Sequence, residues 1–139
     1  MNLSVKSDYA ARAVLGLARA HATGASLRAE DLAGSEGVPG NYLAQILAEL
    51  RARGIVRSLR GKSGGYLLAR PPEAISLGDV LRATQGAVVD TSAVSGAHCP
   101  PELKRAWDRF RRAAEVAADG INFRQLLDER SDKEKMYHI

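Results

Sequence analysis

Residues 51–70 carry six basic side chains and no acidic one, and a glycine-rich run, Gly61-Lys62-Ser63-Gly64-Gly65, lies within the stretch. Arg60 and Lys62 therefore sit on a tip whose backbone can approach a phosphate or a groove closely, and Ser63 adds a hydroxyl donor there. Arg57 and Arg51 extend the positive surface. That chemistry suits a polyanion. Upstream, Asn41 and Gln45 carry amides able to bond base edges or phosphates. Tyr42 beside them can reach a phosphate, although half-burial against the first helix explains it equally well. Lys6 and Arg28 add two more cations for sequence-independent phosphate contacts.

Gly61-Lys62-Ser63 also matches the end of a phosphate-binding P-loop. The full motif needs a glycine five residues earlier, where Val56 stands, and a helix directly after, where Gly64-Gly65 lead into a strand pattern. Nucleotide binding by this route is rejected. His98-Cys99 offers two adjacent ligands, which do not make a metal site. A thiol near a helix start can have a lowered pKa, so a redox or metal sensor gated through Cys99 stands as an alternative. No Ser-His-Asp, paired-carboxylate or Cys-His arrangement occurs, and no catalysis is expected.

The elements that must position these residues are readable from periodicity. Tyr9, Ala13, Val14 and Leu17 recur at helical spacing, which predicts a helix over 7–21 with Ser7 as N-cap and Asp8 in its first turn. A short helix fits 28–35, with Leu32 and Ala33 inward. Gly37-Val38-Pro39-Gly40 then turns the chain into a third helix from about 39–41 to Arg53. Its stripe Leu43, Ile46, Leu47 and Leu50 is read as core. Two helices across a tight turn make a helix-turn-helix. Strand patterns at 55–60 and 66–68 flank the basic tip as a hairpin, so the fold class is a mainly α winged helix-turn-helix with a two-stranded β wing.

Ser76-Leu77-Gly78-Asp79 has capping-box spacing and opens a helix to about Gln85. Residues 86–98 read as a loop. Pro100-Pro101 start a long helix to about Asp119, on which Leu103, Trp107, Phe110, Ala114 and Ala117 recur at alternating steps of four and three. So little material remains to cover that stripe that a seam between two chains is expected. Asn122 caps a last short helix through Leu127, and a charged tail follows and frays. The expected division is 1–85 as the winged unit, 86–100 as a loop and 101–139 as dimerisation helix and tail.

The chain has 139 residues with a net charge of only +4. Resolved along the sequence, residues 1–70 carry +5, 71–100 carry −2 and 101–139 carry +1. A local positive field is what a polyanion requires. One cysteine excludes an internal disulfide. The longest charge-free run, residues 37–48, is far below the ~20 residues of a membrane span, so a cytoplasmic protein with no membrane partner is expected.

These motifs have a family likeness. Ser7-Asp8-Tyr9-Ala10-Ala11-Arg12-Ala13, Tyr42-Leu43-Ala44-Gln45-Ile46-Leu47, the wing from Arg60 to Pro71 and Ile75-Ser76-Leu77-Gly78-Asp79-Val80 resemble the Rrf-two family of bacterial winged-helix regulators. The resemblance implies a homodimeric repressor or activator with crossed C-terminal helices. It also implies that Arg60 enters the minor groove of double-stranded DNA while the helix from Asn41 reads the major groove. Cluster-binding members carry three cysteines between the short and long helices, whereas this chain has Cys99 alone and sets Thr91 and Ser92 near the first of those positions. Asp8 and Arg12 match residues that flank the cluster in such members, so with Cys99 they form the sensing set implied by the resemblance. The cluster-less branch, without cofactor, is the better match. The reading is a sequence-specific DNA-binding transcription regulator, a repressor acting as a homodimer on a palindromic operator; the rival is a winged-helix protein-interaction adaptor that has lost DNA binding. No effector is readable, and the 86–98 loop with the cleft beside the long helix is the first place to look.

Overall fold

The computed structural model describes residues 2–61, 64–94 and 96–137, with side chains through Arg130. Helix α1 spans Val5–His21. Its N-cap is Ser4, whose Oγ accepts from the Ser7 backbone N–H at 3.1 Å, not the Ser7 that sequence spacing selects. Two serines three residues apart both offer a cap, and packing decides between them. Ser7 is buried, with its hydroxyl 2.6 Å from that of Thr84, far along the chain.

Helix α2 (Ala29–Glu36) ends at Gly37, whose φ of 67° is the left-handed conformation that glycine adopts without a Cβ penalty. Helix α3 (Gly40–Ala52) follows after a short turn. Leu43, Ile46, Leu47 and Leu50 are all completely buried. Burial of such side chains is worth about 1.5–3 kcal/mol each before ordering entropy is set against it. They meet Ala10, Ala13, Val14 and Leu17 of α1 and Leu32 of α2 in one core, so α1 is the post on which the helix-turn-helix is built.

Strands β1 (Val56–Ser58) and β2 (Tyr66–Leu68) pair antiparallel, with Arg57 opposite Leu67. A third segment joins them: Leu27 and Tyr66 exchange backbone hydrogen bonds of 3.0 and 2.7 Å. A 3-10 turn at Pro72–Ala74 leads to α4 (Leu77–Gln85). Both halves of its capping box form, Ser76 Oγ accepting from the Asp79 N–H at 3.1 Å and Asp79 Oδ2 from the Ser76 N–H at 3.0 Å.

A 3-10 turn at Ser92–Val94 lies within the 86–98 segment, and α5 runs over Pro101–Asp119. Helix α6 spans Phe123–Tyr137, ten residues past the expected end at Leu127. Asn122 does cap it, exchanging hydrogen bonds of 2.9 and 3.0 Å with Gln125. Phe123 is completely buried in the common core and Leu126 and Leu127 pack against it, so α6 returns to α1. The corner between α5 and α6 is stitched to the start of α4 by Leu77 N–H to the Ile121 carbonyl (2.9 Å) and Phe123 N–H to that of Ile75 (3.0 Å). Arg82 closes the same corner with a two-pronged bond to Asp119 at 2.8 and 2.9 Å. A Cβ at Gly78 would collide with that carboxylate. Among the described residues no helix is long and apolar enough to cross a membrane.

Candidate nucleic-acid interface

Helix α3 divides cleanly. Its buried stripe points into the core, while Asn41, Tyr42, Ala44, Gln45 and Ala48 are exposed. No side chain caps its N-terminus, so the first backbone N–H groups and the positive end of the helix dipole face outward beside Asn41 and Gln45. Tyr42 packs against α1 and still reaches solvent. Its ring stands edge-on to Tyr9 with centroids 5.6 Å apart, yet the residue remains 38% exposed.

The wing brings the second group of residues. Gly61 adopts a φ of 106°, and the Gly64 N–H closes the tip onto the Gly61 carbonyl at 3.0 Å. A Cβ at Gly64 would lie 2.5 Å from the Leu59 carbonyl oxygen, and one at Gly65 2.6 Å from that of Leu27. The glycines are therefore required by close backbone packing as well as by the turn. Arg57 and Arg60 are exposed and enter no ion pair among the described residues. Lys62 and Ser63, also expected here, lie outside the described residues.

The basic stretch that reads as one block in sequence is sorted by the fold. Arg51 donates to the Ser58 hydroxyl at 3.3 Å and stays on the wing side. Arg53 turns away to the Arg82 carbonyl at 3.2 Å. Arg70 bonds the Ala74 carbonyl at 3.2 Å and lies 3.7 Å from Asp79. Lys6 is committed inside the chain, to Glu49 of α3 at 3.1 Å, so it clamps α1 to α3. Arg28 is the exposed N-cap of α2, beside Ser58, Leu59 and Gly65 in one cleft at the root of the wing. Leu59, missed by the sequence reading, stands 43% exposed next to Arg60.

On α5, Leu103, Trp107 and Phe110 are 44%, 38% and 47% exposed, Ala117 is exposed and Ala114 is half-buried. The stripe thus lies open within one chain. Of the sensing set, Asp8 and Arg12 bond each other at 2.9 Å, with Arg12 also 5.8 Å from the Tyr9 ring centre. Cys99 is half-buried and its thiol points to the Pro100 carbonyl at 3.7 Å. Arg82–Asp119 and the Ser7–Thr84–Gln85 cluster went unread in the sequence because their partners are tens of residues apart and carry no local signature.

The model of the Rrf2 family, described as an iron-dependent transcriptional regulator, matches residues 3–129. The regulator CymR of Bacillus subtilis is 28% identical over 137 residues, which cover 99% of this chain and 97% of that one. The structure of CymR, the global cysteine regulator of B. subtilis, superposes with a TM-score of 0.81 at 27% identity, covering 93% of this chain and 98% of the other. The structure of IscR from T. potens gives 0.81 at 28% identity, with 99% and 97% covered. A Mycobacterium tuberculosis protein of the HTH-type regulator class is 48% identical over 86 residues, 62% of this chain; the match spans about half (53%) of that relative's length.

Among the described residues the iron in the family's description finds no fitting donor set. The chain has one cysteine, Asp8 is paired with Arg12, and among the described residues no three His, Cys, Asp or Glu side chains stand close enough to share an ion. A cluster needs several thiolates or their equivalents around it. The winged helix-turn-helix, the open face of α3 and the family match over nearly the whole chain lead to one conclusion: this chain belongs to the Rrf2 family of transcriptional regulators, a family of regulators and not of enzymes.

Proposed function

We propose that the chain is a sequence-specific DNA-binding regulator that acts as a homodimer on a palindromic operator, most simply as a repressor. Exposure of Asn41, Tyr42 and Gln45 at the uncapped start of α3, together with exposed Arg57 and Arg60 on the adjoining wing, carries this reading. A helix N-terminus in the major groove and a wing arginine in the minor groove is a geometry these side chains can reach. Arg28, Arg51, Lys62 and Ser63 supply phosphate contacts around them. Lys6, held by Glu49, is left out of that set, because the pair is formally neutral.

The alternating spacing of Leu103, Trp107, Phe110, Ala114 and Ala117 supports a two-fold seam along α5, because a repeat of three and four residues is the pattern of a helix packed on another helix. A two-fold dimer presents two α3 helices and so favours a palindrome. The winged unit 1–85, the loop 86–100 and the segment 101–139 divide these tasks, with α6 bracing the winged unit through Phe123. Capture of sheared genomic DNA on the purified chain, followed by sequencing, should return a common inverted repeat. Recovery of fragments without a shared motif would defeat the reading.

A further inference from the structure

Three arginines converge on one small cavity of about 110 Å³ between the end of α3, the exit of β2 and α4. Arg53, Arg70, Arg82 and Asp79 line it together with the buried Ile55. A guanidinium presents several N–H donors in a planar fork, and most of those here are unspent. Arg53 gives one N–H to the Arg82 carbonyl at 3.2 Å and enters no ion pair among the described residues. Arg70 gives one to the Ala74 carbonyl at 3.2 Å. Its Nη2 stands 3.7 Å from Asp79, beyond hydrogen-bond length, and its buried Nε has no partner among the described residues. Only Arg82 is tied closely to a carboxylate, that of Asp119 at 2.8 and 2.9 Å. Asp79 is already committed to the capping box, where its Oδ2 accepts from the Ser76 N–H at 3.0 Å. Three cations against Asp79 and Asp119 leave positive charge in excess. Glu115, which also acts on Arg82, is bonded to Arg111 at 2.7 Å.

We propose that this cavity binds one tetrahedral oxyanion carrying two negative charges: phosphate, sulfate or the phosphoryl group of a monoester. Guanidinium forks match the oxygens of such ions in pairs, and hydrogen bonds between opposite charges are among the strongest. The volume is that of roughly three or four water molecules. It admits one such ion and leaves little room for a ring beside it. The ion would satisfy the unused donors of Arg53 and Arg70 while the Arg82–Asp119 pair stays in place. A DNA backbone is the poorer source, because a phosphodiester carries a single charge and Arg53 is turned away from the open face of α3. None of the lining residues belongs to the α5 stripe assigned to the seam. A bound ion would cross-link the end of α3 to α4, on the residue that also holds the α5 corner.

The site needs no DNA, so the full-length chain is titrated alone and the outcome is separate from that of the operator experiment. Calorimetric titrations use sodium phosphate, sodium sulfate and glycerol 3-phosphate, with sodium chloride at equal ionic strength as the control for screening. Phosphate and sulfate should saturate with a dissociation constant of about 1 mM or tighter, and chloride should give no saturable heat. Glycerol 3-phosphate binding as well as phosphate would extend the site to monoesters, and its exclusion would confine the site to free ions; the proposal stands in either case. Arg53→Gln, at an exposed position, should weaken phosphate by about tenfold or more. Arg112→Gln removes an exposed cation of α5 and should leave phosphate binding unchanged. Any of three results would overturn the proposal: no saturable heat from phosphate or sulfate, an Arg53→Gln loss no greater than that of Arg112→Gln, or loss of binding on Arg60→Ala, which would move the ion to the wing.

Discussion

Arg60→Ala is the most informative perturbation of the proposed interface, because the fold supplies its internal control. Arg60 is exposed on the wing without an ion pair among the described residues, whereas Arg53, seven residues earlier, is turned to the Arg82 carbonyl at 3.2 Å. A bidentate groove contact is worth about 1–3 kcal/mol, so each half-site should lose about fivefold to 150-fold in affinity. Each neutralised phosphate contributes about 0.9 to the slope of log affinity against log salt, so loss of Arg60 from both copies should flatten that slope by roughly 1.8 if it lies against the backbone at the groove edge. Arg53→Ala should leave both quantities unchanged. A mobility-shift titration of the captured operator at four or so salt concentrations measures affinity and slope together. Unchanged affinity for Arg60→Ala, or equal losses for the two variants, would refute the assignment of the wing to DNA.

Two glycines on neighbouring helices should respond in opposite senses to alanine. Gly34→Ala meets nothing within 4 Å and should stabilise by about 0.5–1 kcal/mol. Gly16→Ala would place a Cβ 2.6 Å from Glu36 Oε1 and 2.8 Å from Leu32 Cδ1, disturb the 2.6 Å Arg19–Glu36 pair and cost about 1–3 kcal/mol, as read from denaturant midpoints. Phe123→Ala should cost about 3–5 kcal/mol in the same assay, since the ring is completely buried where α6 joins the core. The hydrogen bond from Arg82 holds the Asp119 carboxyl below its ordinary range, so the pair stabilises the fold above the unfolded-state pKa and loses that effect as pH falls through the lower folded value. Asp119→Asn should therefore cost at most about 1 kcal/mol at neutral pH, as both side chains are partly exposed, and the gap should close below about pH 4.

The stripe Leu43, Ile46, Leu47 and Leu50 was legible because its four positions obey helical spacing, and all four are completely buried. Ser76 and Asp79 were legible for a similar reason: both partners of the capping box lie within one turn. Sequence reading stops where the deciding partner is remote. Nothing near Ser7 announces Thr84, so the cap was assigned one turn late. The helix after Leu127 lacks an apolar period, and its charged residues read as a fraying tail although the helix continues to Tyr137. The basic run from Arg51 to Arg70 shows only sign and density, and the alternation of the hairpin with the turn of Arg53 and Arg70 toward α4 and its approach sorts it into outward and inward charges. Asp8 and Arg12 satisfy each other by the ordinary pairing of residues four apart, which family likeness alone does not reveal.

The stitched corner at residues 119–123 makes α5 a lever with one fixed end. Ala118 is buried there and Asp119 is bonded to Arg82, whereas residues 101–110 at the other end are exposed throughout. Nineteen residues at 1.5 Å each give an arm of roughly 28 Å, so a tilt of about 5° at the pivot carries the free end about 2.5 Å. In a dimer joined along that arm, the angle at Arg82–Asp119 sets the distance and phase between two reading heads. Substitutions at this corner, remote from any base, would then shift which half-site spacing the regulator accepts.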